Sequence, residues 1–115
     1  MTSLSLIVLR TTKMESMRLF YDALGLRFVE ERPEDGPVHY TCDLDGTVIE
    51  ISPTVKTLDT EGILLGLNVD SLDFVLANLQ AAGLLPDDLP PDAAEQGELT
   101  LQDPDGRRVR LVEVW

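Results

Sequence analysis

The sequence predicts an α+β fold of two tandem βαβββ modules, and three observations carry that prediction. "ALGL" at residues 23–26 returns as "AAGL" at 81–84, and Asp45-Gly46 returns as Asp105-Gly106, a period of about 60 residues. Each half runs through the same order of signals: an apolar strand-length run, an amphipathic helix, then strands closed by a hairpin. Asp-Gly beside alternating aliphatic residues, as in "LDGTVIEI" and "PDGRRVRL", is the strongest short hairpin signal, and both halves have it.

The first module covers about 1–53. Residues 4–11 form an apolar strand. In "TTKMESMRLFYDALG", Thr12 and Glu15 are spaced as a capping box. Met14, Met17, Phe20, Tyr21 and Leu24 recur at helical spacing, and Gly25 stops the helix. A strand over 26–31, the turn-rich "RPEDGP" and two strands around Asp45-Gly46 complete the unit. A linker covers about 54–62, and the second module about 63–115, the whole making one domain. Here 63–69 is a strand, and Asp70 or Ser71 caps a helix with Leu72, Val75, Leu76 and Leu79 on its apolar face. Gly83 ends that helix, and 98–102 with 107–114 form the last hairpin. Pro86, Pro90 and Pro91 in the loop 85–97 leave room for at most a short edge strand where the first module has a full one.

Composition narrows the function. Nine basic against 21 acidic residues give a net charge of −12, which argues against nucleic acid or an anionic membrane as partner. No apolar run is long enough to span a bilayer. "MTSLSLIVLR" lacks the basic region and cleavage site of a signal peptide and reads as a strand. The single cysteine, Cys42, excludes an internal disulfide, fits a reducing cytoplasm, and has apolar neighbours of the same parity, as an inert core thiol would. The single histidine, His39, excludes any mechanism that needs two from one chain.

Strand parity then assigns faces. A two-residue turn at Asp45-Gly46 sets Leu44 opposite Thr47, Thr41 opposite Glu50 and His39 opposite Ser52. One face carries His39, Thr41, Asp43, Glu50 and Ser52; the other carries Tyr40, Cys42, Leu44, Ile49 and Ile51 and must pack on the helices. The first strand is apolar on both parities until Arg10, which together with the polar face beside it suggests the wall of a pocket.

"MESMRLFYDALGLRF", "GPVHYTCDLDGTVIEISP", "NVDSLDFVLANLQAAG" and "QDPDGRRVRLVE" resemble segments of the vicinal-oxygen-chelate superfamily, the glyoxalase, bleomycin-resistance and dioxygenase group. The resemblance covers nearly the whole chain. It implies mixed sheets curled into a cup, helices on the outer side, the ligand on the concave side, and pairing of chains into a homodimer. It also implies where catalytic members hold a divalent metal: a residue on the first strand of each module and a glutamate on the last. Those positions fall on Leu6, Leu64, Glu50 and Arg110. Two leucines offer no donor and a guanidinium repels a cation, so no metal and no other cofactor is expected.

The expected ligand-binding set is Leu6, Val8, Arg10, His39, Thr41, Glu50, Leu64, Arg108 and Arg110. Glu50 and Arg110, four residues past their glycines, are expected as a pair across the cup, partly buried or screened at its rim. Otherwise Arg110, with Arg10 or Arg108, is free to hold a ligand's carboxylate. The favoured function is a metal-free protein that binds a small, partly apolar molecule. The alternative is a lyase, isomerase or dioxygenase of the same superfamily, with His39 and Glu50 as catalytic candidates, with or without a metal. An accessory protein that binds only a macromolecular partner is a third reading. Trp115 is expected at most to dock at a subunit interface.

Overall fold

The computed structural model describes residues 1–114; Trp115, with the interface role suggested for it, lies outside the described residues. Two helices and seven strands follow in the order β1 (Leu6–Thr11), α1 (Met14–Ala23), β2 (Val29–Glu31), β3 (His39–Leu44), β4 (Thr47–Pro53), β5 (Leu64–Val69), α2 (Leu72–Ala81), β6 (Glu98–Gln102) and β7 (Arg108–Glu113). They form two open mixed sheets, ordered β1-β4-β3-β2 and β5-β7-β6. In each, the first strand of the half runs parallel to the last and the hairpin partner runs antiparallel, so the duplication read from the sequence is a duplication of topology.

Side-chain alternation divides each sheet. Ile51, Val109 and Leu111 are fully buried with Met17 and Tyr21 of α1 and Leu72 and Leu79 of α2. That apolar burial is the main stabilising term, each fully buried large side chain contributing roughly 1.5–3 kcal/mol. The helices therefore cover one face of each sheet and leave the other open. Gly25 and Gly83, at φ +108° and +72°, turn the chain after α1 and α2 in a conformation that a Cβ would penalise.

Two details depart from expectation. The Thr12–Glu15 capping box does not form. Lys13 is the N-cap without a side-chain cap, the Thr11 hydroxyl accepts from the Lys13 amide, and Glu15 instead pairs with Arg18 and accepts from the Tyr40 hydroxyl. The cap of α2 does form, the Phe74 amide donating to Ser71 Oγ at 3.2 Å. The second sheet has three strands, because the proline-rich loop 85–97 holds only a 3-10 turn, Ala93–Gln96, beside β6. Three prolines remove the N–H groups a fourth strand would need.

The hairpins also differ. Leu44 opposes Thr47 across a two-residue turn with φ of +53° and +92° at Asp45 and Gly46, the type I′ geometry that matches strand twist. The second hairpin pairs from Gln102↔Arg108, so its connection is the longer loop 103–107. That loop joins the two halves. Asp103 is buried and accepts from the Tyr21 hydroxyl at 2.7 Å and from the amides of Asp105 and Arg107. The buried Arg107 guanidinium reaches Asp103, Asp105 and the Arg10 carbonyl, the last at 2.8 Å. Burial beside Asp103 pushes the Tyr21 hydroxyl well above the ordinary tyrosine range.

Candidate functional site

β1, β4 and β3 lie side by side in register, Val8 beside Glu50 and Glu50 beside Thr41. By alternation Leu6, Val8 and Arg10 share the open face with Glu50, Ser52, His39 and Thr41, as strand parity predicted. The second sheet repeats the arrangement, with Gly66 beside Arg110 and Arg110 beside Thr100, which puts Leu64, Arg108 and Arg110 on its open face. Leu6 at 50%, Val8 at 37% and Leu64 at 51% exposure are apolar side chains directed away from the core. Gly66 opens the middle of the second face by having no side chain.

His39, Glu50 and Arg110 on these faces each meet a partner within their own sheet. His39 Nε2 lies 3.1 Å from Glu31 Oε2 and 3.9 Å from Glu50 Oε1. The Thr41 hydroxyl donates to Glu31 at 2.8 Å, and the Ser52 hydroxyl donates to Glu50 at 2.5 Å. Those contacts hold the Glu31 carboxyl below its ordinary value, the Thr41 hydrogen bond first and His39 second. Arg110 Nε is 2.8 Å from Glu98 Oε1, and that partner raises the Arg110 pKa.

The expected Glu50–Arg110 pair is therefore not formed within the chain. Each side chain meets a neighbour two residues along the adjacent strand of its own sheet, which is nearer than any group on the other sheet. Arg10 and Arg108 have no carboxylate partner among the described residues, where Arg18, Arg32, Arg107 and Arg110 do.

Within one chain the candidate residues form two sets. Leu6, Val8, Arg10, His39, Thr41 and Glu50 lie together on the first sheet, and Leu64, Arg108 and Arg110 on the second, with no hydrogen bond or ion pair between the sets among the described residues. Glu31 and Glu98 were missed. Glu31 could not be aligned with His39 because the loop 32–38 leaves the register of β2 undetermined in sequence. Glu98 could have been found by counting back two residues from Thr100, which opposes Arg110.

The donor set at the four positions implied for a divalent metal is Leu6, Leu64, Arg110 and one carboxylate, Glu50, which does not fit such an ion. Among the described residues no group of three His, Cys, Asp or Glu side chains is placed to hold a metal. What the faces can do is cover an apolar surface and meet polar or anionic groups at its edges. His39, between two carboxylates, can also exchange a proton.

The family model of the Glyoxalase/Bleomycin resistance protein/Dioxygenase superfamily matches residues 3–111. No curated protein matches the chain. Similar solved structures include TnmS3, an antibiotic binding protein from Streptomyces sp. CB03234, at 18% identity and TM-score 0.67, covering 100% of this chain and 98% of that one. A bleomycin resistance determinant encoded on transposon Tn5 shows 20% identity and TM-score 0.60 over 97% and 98% of the two chains. The oxidase ChaP-H2 shows 16% identity and TM-score 0.68 over 99% and 94%. At these identities the likeness is one of fold, and that fold serves both a binding protein and an oxidase. By the family model over residues 3–111 and by the fold, this chain belongs to the glyoxalase/bleomycin resistance protein/dioxygenase superfamily.

Proposed function

We propose that this protein binds a small, partly apolar molecule against the open sheet faces, without a metal or other cofactor. The observation that carries the reading is the set of exposed aliphatic side chains, Leu6, Val8 and Leu64, on faces edged by Arg10, Glu50, Arg108 and Arg110. Leaving such an apolar strip in water is unfavourable by roughly 25 cal/mol per Å2, and a ligand or second chain recovers that term. Two copies pair in this reading, the first-sheet face of one completing a cup with the second-sheet face of its mate. Reversed charge at equivalent positions, Glu50 on one face and Arg110 on the other, supports that pairing over like with like. Cytoplasmic residence, supported by the lone buried thiol Cys42, belongs to the same proposal.

Nothing among the described residues favours a nucleic-acid or membrane partner: the net charge is −12, and no helix is long and apolar enough to cross a bilayer. The competing reading, an enzyme using His39 with Glu50, is supported by the 3.9 Å approach of those groups and by Glu31 on the same imidazole.

A thermal-shift screen of small antibiotics and metabolites, followed by calorimetry on each hit, tests the binding reading. Leu6→Glu or Leu64→Glu should abolish binding by the hits while the chain stays folded. Near-stoichiometric zinc, nickel, manganese or iron in protein purified without chelator, measured by mass spectrometry, would overturn the metal-free proposal. Light scattering should give twice the chain mass.

A further inference from the structure

Beyond Arg10, at the margin of the first open face, a cleft of about 280 Å3 lies where the end of β1 and the start of α1 meet the linker and the loop 103–107. Arg10, Lys13 and Lys56 line it, with Thr12 and Thr57 between them. That gathers three of the nine basic residues of a chain whose net charge is −12. None of the three has a carboxylate partner among the described residues, and Lys13 Nζ donates only to the Pro104 carbonyl, at 3.1 Å. The one acid lining the cleft, Asp105, is already held by Arg107 at 3.2 Å. Asp59 and Glu61 belong to the adjoining cleft, alongside Arg108.

Unpaired cations around a concave surface focus positive potential there, whereas the rest of this acidic molecule repels anions. The ammonium groups of Lys13 and Lys56, the Arg10 guanidinium and two threonine hydroxyls are all hydrogen-bond donors, and the oxygens of a phosphate accept such bonds. Lys13 is also the N-cap of α1, so its amide end adds a partial positive charge to the same rim.

We propose that this cleft binds a phosphate dianion, free or as the phosphoryl group of a small metabolite, chiefly through Lys13 and Lys56, with Arg10 shared with the margin of the first open face. The test is an amide-resolved NMR titration of the full chain at about pH 8, where phosphate is dianionic. Inorganic phosphate, glycerol phosphate and chloride are compared at matched ionic strength. Saturable shifts of Thr12, Lys13, Thr57 and Leu58 with the phosphates but not with chloride are expected. Lys56→Glu and Lys13→Gln alter exposed side chains and should keep the melting temperature while weakening phosphate about tenfold or more; Arg32→Glu, remote from the cleft, should change nothing. A tighter fit for glycerol phosphate than for the free ion would identify the occupant as a phosphorylated metabolite. Shifts that track ionic strength alone, or unchanged affinity in both lysine variants, would overturn the proposal.

Discussion

The two hairpins have the same place in the topology and the same Asp-Gly signal, yet they do different jobs. The β3–β4 turn is exposed and self-contained: the Gly46 amide donates to its own Asp43 carboxylate at 3.0 Å, and the turn is two residues long. The β6–β7 loop buries Asp103 and Arg107, which bind the side chain of Tyr21 and the carbonyl of Arg10 in the other half. Their strands differ as well. β4 puts Glu50 near His39, and β7 puts Arg110 on Glu98, with acid and base exchanged between equivalent positions. One copy of the hairpin is thus free to vary with function while the other also joins the halves. Once a unit is duplicated, a contact needed only once has to be made by one copy.

The sharpest way to break this comparison is to truncate a buried side chain of the β6–β7 loop. Arg107→Ala should cost about 3–5 kcal/mol, because it leaves the Asp103 carboxylate buried without its cation. Asp43→Ala in the exposed turn should cost about 1 kcal/mol or less. Urea unfolding of both variants measures the difference, and equal losses would show that the hairpins share the structural work.

Tyr21→Phe comes next, at about 1–3 kcal/mol for the lost hydrogen bond to a buried carboxylate. It also has a pH signature. An unfolded tyrosine ionises near pH ~10, whereas burial beside Asp103 keeps Tyr21 protonated beyond that. Its stabilisation is therefore whole below about pH 10 and falls as the pH rises further, a decline that Tyr21→Phe should remove. Unfolding at stepped alkaline pH, wild type against variant, reads this directly.

The helix starts give a smaller contrast. Ser71→Ala should cost about 1 kcal/mol, since its hydroxyl caps α2. Thr12→Ala should be close to neutral, since α1 has no side-chain cap. The smallest effect is on the open face. Thr41→Val should raise the Glu31 pKa toward its ordinary value, seen by NMR titration of the carboxyl. Glu31 is depressed by its partners, so its contribution is present at neutral pH and disappears as the pH falls through the lowered value.

Much of the fold could be read before any coordinates. The period of about 60 residues, Gly25, Gly83 and the Asp45-Gly46 turn are local signals, and the face assignments of His39, Thr41 and Glu50 follow from counting residues along one hairpin. Local signals failed where a local choice competed with a distant one. The spacing of Thr12 and Glu15 allows a capping box, but Glu15 gains more from Arg18 and Tyr40. The equivalence of Glu50 and Arg110 is correct as topology, but each finds a closer partner on its own sheet.

By itself the sequence determined the duplication and the parity of both strands of the first hairpin. These depend only on residue type and spacing. Tertiary structure decided that Asp103, Tyr21 and Arg107 form one buried cluster and that Arg10, Lys13 and Lys56 share a cleft. Those residues come from segments far apart in the chain, and strand periodicity carries no information about which distant loops pack together.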